Sequence, residues 1–417
     1  MELNSNLDGG VKMYINRDIS KIILDARKMA KVILVTGPRQ VGKTTMLQKE
    51  LGKSYDYVTL DDYDDLQMAK EDPKLFFKQN PLPVMIDEVQ YAPEIFRTIK
   101  LEVDRKDEKG LIILTGSQAY HLMKHISESL AGRIMIFEMS GLSLRELYNI
   151  DFSAPFIPCD DYLNDRKQHI YQYDNLWNKI HRGSLPALQD EDIHWDWYYR
   201  DYIKTYIERD IRDLINVKDE MKFYQFLVSL AARAGQVIVC NDIANDVGVN
   251  LKTVQSWISI LETSGIIHVV QPYFNNILKR AIKSPKLYFM DTGLLCYLVG
   301  WNTPKSAMSG AMSGNIFENF VVSEIIKSFI NAGADTRNIF YYRDKDKKEI
   351  DLVIKNQNTL YPIEIKLESS PRKEWTKNLS VLDKITDMNI ARGIVLCQCD
   401  KILYLNDKDI AVPIEYI

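Results

Sequence analysis

The first part of the chain alternates short apolar runs with stretches that are compatible with helices. Five runs within residues 13–150 are rich in Val and Ile and almost continuously apolar: KVILVTG, YDYVTL, PVMIDE, LIILTG and IMIFEM. Continuous apolar character is typical of strands that are buried on both faces of a parallel sheet. With helical stretches between the strands, the pattern predicts an α/β layer architecture.

The pattern changes three times beyond residue 150. Residues 151–215 are aromatic and charged with few strand signals, and they predict a helical connector. Residues 216–300 contain a helix-turn-helix pattern and a possible hairpin, and residues 301–417 return to mixed α/β character. We therefore predict four domains, with bounds at 1–150, 151–215, 216–300 and 301–417.

The helix-turn-helix pattern covers residues 242–263. A first helix would end at Gly248, and Asn250 could cap a second helix whose apolar residues recur with helical spacing. Those apolar residues are Val254, Trp257, Ile258 and Leu261. Lys252, Gln255, Ser256 and Ser259 would point outward, as in a recognition helix that enters a major groove. IIHVVQPY and KLYFM could then form the wing of a winged-helix domain.

A basic stretch accompanies the predicted wing. Residues 271–290 contain no acidic residue, and their basic residues are Lys279, Arg280, Lys283 and Lys286. The net charge is -4, so any contact with DNA would have to come from such a local patch. The predicted recognition face carries one lysine, so a winged helix that serves as a structural lid or a protein-contact module is the alternative.

Composition places the chain among ordinary globular proteins. Hydrophobic residues make up 46% and charged residues 26% of 417 residues, which excludes long disorder and collagen-like structure. No apolar run reaches the roughly 18 residues of a membrane span. The polar start, MELNSNLDGG, lacks the features of a secretory signal, and the five cysteines are scattered. We expect a cytoplasmic protein with reduced thiols.

A complete phosphate-binding motif follows the first apolar run. GPRQVGKT at residues 37–44 fits G-x-x-x-x-G-K-[ST], between a predicted strand and a predicted helix. The glycines let backbone N–H groups point at phosphate oxygens, and the helix N-terminus adds partial positive charge. Lys43 would reach the β- and γ-phosphates, and Thr44 would bind Mg²⁺. The predicted nucleotide-binding residues are Gly37, Pro38, Arg39, Gln40, Val41, Gly42, Lys43, Thr44 and Thr45.

The third apolar run ends in two carboxylates. Ligands of open α/β sheets collect at this end of the strands. Asp87 would hold Mg²⁺ through water, and Glu88 would polarise the attacking water. At the end of the fourth run, Ser117 could orient that water or sense the γ-phosphate, with an ordinary polar turn as the alternative. These motifs predict an ATPase that uses ATP and Mg²⁺.

Several motifs together resemble a known family. GPRQVGKTT, VMIDEVQ, LTGSQ and SLAGR are similar to segments of the AAA-type ATP-binding proteins of bacteria and archaea, in which a second region of unknown function follows the ATPase module. The resemblance continues in TYIERDIRDL, PKLYFMDTGLL, GNIFENFVVSEI and YYRDKDKKEIDLVI, and so covers nearly the whole chain. It implies that Arg133, or less strongly Arg209, senses nucleotide or acts as a finger arginine. An arginine that acts across subunits would require a homo-oligomer.

A second set of candidate residues lies in the last quarter of the chain. Residues 349–354 and 360–366 predict a hairpin, and Asp351 followed by Glu364-x-Lys366 resembles the active site of the PD-(D/E)XK nuclease fold. Because side chains alternate along a strand, Glu364 and Lys366 share one face. Glu318, Asp351 and Glu364 would bind Mg²⁺ for attack on phosphate, with Lys366 orienting the water. The alternative is a structural domain that does not cleave.

These patterns predict an α/β protein with four parts in chain order. An AAA-type P-loop ATPase domain is followed by a helical connector, a winged-helix domain and a restriction-endonuclease-like domain. In the first interpretation, the nucleotide state controls the C-terminal domains, which act on DNA. In the second, the protein is a nucleotide-gated switch or assembly protein that contacts protein partners.

Overall fold

The structure is a computed structural model that describes residues 14–117, 126, 129–207, 220–274 and 284–417. Within these residues the chain builds two sheets, with helices between and around them. The fold is α/β, as predicted.

The first sheet is parallel and carries the predicted phosphate-binding loop. Its strands have the order β2-β3-β4-β1-β5, and all five predicted apolar runs contribute one strand each. The strands are β1 (Val32–Thr36), β2 (Asp56–Thr59), β3 (Val84–Asp87), β4 (Ile112–Gly116) and β5 (Ile134–Glu138). β1, β3 and β4 are buried along their whole length, which explains their continuous apolar character.

Helices cover both faces of this sheet. They are α1 (Ile19–Ala26), α2 (Lys43–Leu51), α3 (Tyr63–Glu71), α4 (Pro73–Gln79) and α5 (Ile95–Asp104). Alternate strand residues divide between two apolar cores: Val32 and Leu34 lie in one, and Ile33 and Val35 in the other. The second of these cores continues into the rest of the molecule, so the ATPase sheet packs directly against the parts that follow it.

Short helices follow the first sheet, and all but the first begin within residues 151–215, the predicted helical connector. They are α6 (Leu144–Leu147), α7 (Asp160–Lys167), α8 (Leu176–Arg182) and α9 (Trp195–Tyr202), with a π-helical segment at Ile203–Ile207. Most of the aromatic residues in this region are buried in the shared core, among them Trp195, Tyr199, Tyr202 and Tyr206. Trp197 is exposed. The aromatic residues therefore serve mainly to pack one part of the molecule against another.

Three helices and a hairpin follow. They are α10 (Glu220–Ala231), α11 (Cys240–Val247), α12 (Leu251–Thr263), β6 (Ile267–Pro272) and β7 (Lys286–Phe289), and we call them the helix–hairpin unit. The predicted cap is confirmed, because the Asn250 side chain accepts a hydrogen bond from the Thr253 amide at 2.8 Å. The predicted apolar face of α12 is buried, and its predicted polar face is exposed. The β6–β7 pair is antiparallel.

The last part of the chain completes a second, mixed sheet. Its helices are α13 (Thr292–Leu298), α14 (Pro304–Ser309) and α15 (Ser313–Asn331). Its strands are β8 (Ile339–Arg343), β9 (Glu349–Asn356), β10 (Thr359–Ile365), β11 (Asn389–Ile390), β12 (Ile394–Cys397), β13 (Leu403–Tyr404) and β14 (Ile410–Pro413). The predicted hairpin is confirmed, since β9 and β10 pair antiparallel.

The second sheet crosses the predicted boundary at residue 300. β6 of the helix–hairpin unit pairs in parallel with β8, which places Gln271 beside Phe340 and Pro272 beside Tyr341. The sheet order is β13-β14-β12-β10-β9-β8-β6-β7, and β11 pairs with β10. The hairpin and the C-terminal strands therefore form one continuous hydrogen-bonded surface.

Helix α15 lies at the centre of the molecule and contacts the ATPase part. Nearly all of its side chains from Ile316 onward are buried. Glu324 accepts a hydrogen bond from the Leu144 amide at 2.7 Å, and Lys327 donates to the Leu142 carbonyl at 3.1 Å. Across the described ranges, none of the helices has both the length and the apolar character to cross a membrane.

Candidate functional site

The predicted phosphate-binding loop connects β1 to α2, and its backbone requires glycine. Gly37 and Gly42 have φ angles of 137° and 90°. A Cβ atom at Gly37 would collide with the carbonyl oxygen of Met139, so the close approach of these two segments depends on the missing side chain. Gly42 directly precedes α2, so the loop leads into a helix N-terminus that favours anions.

Lys43 lies inside this loop. Its side chain is buried, and its ammonium donates hydrogen bonds to the carbonyl oxygens of Gly37 at 3.0 Å and Pro38 at 2.8 Å. The charge is therefore held within the turn of the loop, at the start of α2. A phosphate group at this position would receive both the lysine and the loop amides.

Asp87 at the end of β3 collects several hydroxyl donors. Thr44 donates to both carboxylate oxygens at 3.0 Å, and Tyr57 donates to Oδ2 at 2.9 Å. Thr115 donates to Oδ1. Burial and the hydrogen bond to Asp87 raise the pKa of Tyr57 to about 12, so the phenol keeps its proton. Oxygen atoms of Thr44 and Asp87 therefore lie side by side, which fits a hard divalent cation.

Glu88 follows Asp87 in a left-handed conformation with φ 54°. Its Oε2 accepts hydrogen bonds from the Gln90 side chain and from the Ser117 hydroxyl, the latter at 3.4 Å. The structure thus brings Ser117, directly after β4, next to Glu88. Gln90 also contacts Glu88, and the sequence patterns do not predict it as a site residue.

Arg133 lies at the amino-terminal ends of the parallel strands, opposite to the phosphate-binding loop. It precedes β5, whose first residue Ile134 is in register with Val32, whereas the loop follows Thr36 at the opposite end of β1. Its guanidinium instead binds Asp104, with Nε 2.6 Å from Oδ1. Because the segment LAGR directly precedes β5, and β5 runs parallel to β1, Arg133 must lie at the amino-terminal ends of these strands. Arg133 therefore lies away from the loop of its own chain, and its role as a nucleotide-sensing or finger arginine stays a prediction.

Parts outside the ATPase sheet contact the loop directly. A Cβ atom at Gly265, in the turn between α12 and β6, would lie 2.9 Å from Cδ of Pro38. The Tyr198 hydroxyl donates a hydrogen bond to the Gln40 side chain. Arg17 donates to the Val41 carbonyl at 2.6 Å. These contacts were not predicted, because long-range neighbours leave no local pattern in a sequence.

The second predicted site also converges, on the face of β9 and β10. The carboxylates of Asp351 and Glu364 lie beside Lys366, whose ammonium is 3.8 Å from Asp351 Oδ2 and 2.6 Å from Glu364 Oε1. Glu318 reaches the same cluster from α15 and accepts a hydrogen bond from the Tyr288 hydroxyl at 2.8 Å. Burial and Asp351 raise the pKa of Glu364 to about 8, and burial raises the pKa of Glu318 despite Lys286.

Lys286 is buried within this cluster and is not part of a surface patch. Its side chain is 2% exposed, and its ammonium lies 2.7 Å from Glu349 and 3.3 Å from Glu318. Burial alone would lower the pKa of Lys286, but its neighbours Tyr288, Glu318, Asp351 and Glu349 raise it well above the usual value. The prediction that Lys286 contacts DNA phosphates is therefore wrong.

Other predicted basic residues fall outside the described residues. They are Lys279, Arg280, Lys283 and Arg209.

The predicted Mg²⁺ ligands Glu318, Asp351 and Glu364 do not fit a metal ion in this arrangement. No group of three or more His, Cys, Asp or Glu side chains within the described ranges could hold one. The ammonium of Lys286 lies among these carboxylates instead, because β7 brings it there.

Three family models match the chain. Residues 29–148, which include the phosphate-binding loop and Asp87, match an AAA domain. Residues 173–305 and 313–417 match two domains of unknown function, DUF8612 and DUF4143. The matched N-terminal range coincides with the parallel sheet described above.

Similar proteins span most of the chain. An uncharacterized protein of Mycobacterium tuberculosis is 30% identical over 407 residues, which are 96% of this chain and 84% of the relative. An uncharacterized protein of Methanocaldococcus jannaschii is 24% identical over 366 residues, which are 82% of this chain and 76% of the relative. The similarity therefore extends well beyond the ATPase part.

Two solved structures align in part. A Walker-type ATPase of Pyrococcus abyssi covers 69% of this chain and 99% of its own, with 13% identity and a TM-score of 0.40. A RuvB protein of Thermotoga maritima covers 60% of this chain and 86% of its own, with 17% identity and a TM-score of 0.30.

Proposed function

Because this chain belongs to the family of AAA-type P-loop ATPases that carry a C-terminal DUF4143 domain, we propose that the nucleotide bound at its loop controls the position of the helix–hairpin unit. ATP hydrolysis would then alternate two arrangements of the molecule. A ligand shifts such an equilibrium only by its differential affinity for the two states, so the loop must contact the part that moves.

The residues around the loop have distinct roles in this proposal. Lys43 and the loop amides bind the phosphates, and Thr44 and Asp87 hold Mg²⁺, which would neutralise charge that develops on the phosphoryl oxygens. Glu88 orients and polarises the attacking water, and Ser117 keeps the Glu88 carboxylate in position. The 3.4 Å contact between Ser117 and Glu88 supports the pairing of these two roles.

The observation that carries the proposal is the close approach of Gly265 to Pro38, where an added Cβ atom would lie 2.9 Å from Cδ of Pro38. Pro38 belongs to the phosphate-binding loop, and Gly265 belongs to the turn that joins α12 to β6. The hydrogen bond from Tyr198 to Gln40 adds a second contact, from the connector. A movement of the loop around a triphosphate would therefore displace both the helix–hairpin unit and the connector, because packed interiors transmit small displacements.

Hydrogen exchange with and without a non-hydrolysable ATP analogue and Mg²⁺ tests this proposal. We expect slower exchange in residues 262–267 and 195–202 as well as in the loop, and no change in the Lys43→Ala variant. Exchange that changes in residues 32–138 alone would contradict the coupling and would leave the ATPase assignment intact.

DNA is a second candidate target, because the polar face of α12 is exposed. Lys252, Gln255 and Ser256 face solvent on the helix that would enter a groove. We expect weak binding of duplex DNA at low salt, reduced in Lys252→Glu and unchanged in Lys305→Glu, whose residue lies on α14. Fluorescence anisotropy measures this. Equal anisotropy curves for the two variants, or no binding at low salt, would remove DNA as a target of this face.

A further inference from the structure

The carboxylate cluster of the second sheet encloses a cation that the chain itself supplies. Glu318 comes from α15, Glu349 and Asp351 come from β9, and Glu364 comes from β10. Lys286 comes from β7, at the edge of the sheet, and its ammonium lies between three of these carboxylates. The distances are 2.7 Å to Glu349, 3.3 Å to Glu318 and 3.9 Å to Asp351.

Burial and neighbouring polar groups hold Lys286 in a defined position. Its side chain is 2% exposed, and the Glu318 oxygen that it contacts also accepts a hydrogen bond from Tyr288, two residues along the same strand. A buried ammonium is costly unless carboxylates surround it, and an ammonium has three donors to offer them. The positive charge and the three donors of the Lys286 ammonium therefore match the carboxylates around it.

The remaining charges of the cluster are also compensated from within the chain. Lys366 lies 2.6 Å from Glu364 and 3.8 Å from Asp351. Arg343 lies 3.6 Å from Glu349 at the rim. A divalent cation would have to displace an ammonium that already occupies the space between Glu318 and Asp351, and it would be repelled by three positive side chains.

We propose that Lys286 is the resident cation of this cluster and fastens β7 of the helix–hairpin unit to the C-terminal strands in place of a divalent metal ion. The nuclease-like carboxylates then hold two parts of the molecule together. The carboxylates do not form a metal site as they stand, but Oε2 of Glu364 is buried and finds no hydrogen-bond partner among the described residues. Removal of the ammonium would leave Glu318, Asp351 and this oxygen to a hydrated divalent ion.

Titration of nucleotide-free, full-length protein with Mn²⁺ tests the proposal by electron paramagnetic resonance, with the melting temperature as a second readout. A Thr44→Ala background removes any contribution from the phosphate-binding loop. We expect no saturable site that depends on Asp351 in the parent protein. Lys286→Ala should gain one Mn²⁺ site and a melting temperature that rises with Mn²⁺, and the added Asp351→Asn change should abolish both.

The matched control is Lys348→Ala, which removes an exposed lysine from the turn just before β9 and should leave Mn²⁺ binding as in the parent. The proposal would be overturned if the parent protein binds Mn²⁺ and Asp351→Asn abolishes this binding. That comparison does not require Lys286→Ala to fold. A folded Lys286→Ala protein that gains no Mn²⁺ site would also contradict it.

Discussion

The two carboxylates at the end of β3 have the same chemistry but different surroundings, and this separates their roles. Asp87 is tied to Thr44, Tyr57 and Thr115, so its oxygens are fixed beside the phosphate-binding loop. Glu88 leaves the strand in a left-handed conformation and contacts Gln90 and Ser117 instead. We therefore propose that Glu88, and not Asp87, acts on the attacking water.

We predict that Glu88→Gln keeps nucleotide binding and lowers ATP turnover by about 10²- to 10⁴-fold, the usual contribution of a general base. The amide retains the shape of the side chain but cannot polarise the water. Single-turnover hydrolysis and nucleotide binding are measured in parallel, with Glu94→Gln as the exposed control. Turnover at the parent rate would show that another group acts as the base.

The Asp18 carboxyl should make stability depend on pH. Burial and the neighbouring carboxylate of Glu146 raise the pKa of Asp18 to about 6. The folded state therefore holds a proton that the unfolded chain has already lost, so the free energy of unfolding decreases as pH rises from about 4 to 6.

Asp18→Asn should remove this loss of stability. We expect the free energy of unfolding of the variant, relative to the parent, to be about 1–2 kcal/mol higher at pH 8 than at pH 4.5. Urea unfolding at both pH values measures the difference, and the exposed Asp25→Asn on the same helix is the control. A gain that is equal at the two pH values would contradict the assignment.

Local patterns at the residue scale identified the loop, the Asp87–Glu88 pair and the convergence of Glu318, Asp351, Glu364 and Lys366. Each belongs to a short motif whose spacing has a physical reason. The surroundings of Lys286 and Arg133 could not be predicted in this way. Lys286 is buried because β7 pairs at the edge of the second sheet. Arg133 lies at the end of the strands away from the phosphate-binding loop because β5 runs parallel to β1.

Among the structural elements, the turn between α12 and β6 has the clearest connection to the loop. Gly265 has φ +70°, and an added Cβ would lie 2.9 Å from Cδ of Pro38. Gly248 at the end of α11 has φ +69°, but its nearest neighbour would be the Lys222 ammonium at 4.0 Å. The two glycines therefore share a left-handed backbone conformation and differ in what an added side chain would contact.

We predict that Gly265→Ala weakens ATP binding several-fold, whereas Gly248→Ala does not. Both variants should lose about 1–2 kcal/mol of stability from the left-handed conformation. Calorimetric titration with the ATP analogue and thermal unfolding separate the two effects. Equal nucleotide affinity in the two variants would show that the turn does not communicate with the loop.

The sequence predicted the elements better than their pairing. Continuous apolar runs identified the strands of the first sheet, and the apolar spacing identified α12. The pairing of β6 with β8 joins residues almost 70 positions apart, such as Gln271 and Phe340. Nothing in either strand specifies that partner, so the hairpin was expected to belong to a separate domain.

At the scale of the whole molecule, α15 connects the ATPase part to the C-terminal sheet. Glu324 binds the Leu144 amide and, at 2.9 Å, the Lys327 ammonium. Both side chains are buried, so the pair is shielded from water. We infer that the parts unfold together because this helix packs in one core that spans them.

We predict that Glu324→Ala destabilises the protein by about 3–5 kcal/mol, because Lys327 would be left buried without a carboxylate. Replacing both residues by Met should recover part of the loss, since no unpaired charge would remain. Urea unfolding followed by circular dichroism measures both variants. An unchanged midpoint in Glu324→Ala would show that the pair does not contribute to this connection.

The shared sheet also limits how the chain can be divided. A fragment that starts at residue 313, where the DUF4143 match begins, would lack β6 and expose the bare edge of β8. Unpaired strand edges recruit other strands and promote aggregation. The fragment would also lose the lysine that neutralises its buried acids. Expression trials should therefore begin at or before residue 220, so that the hairpin is included.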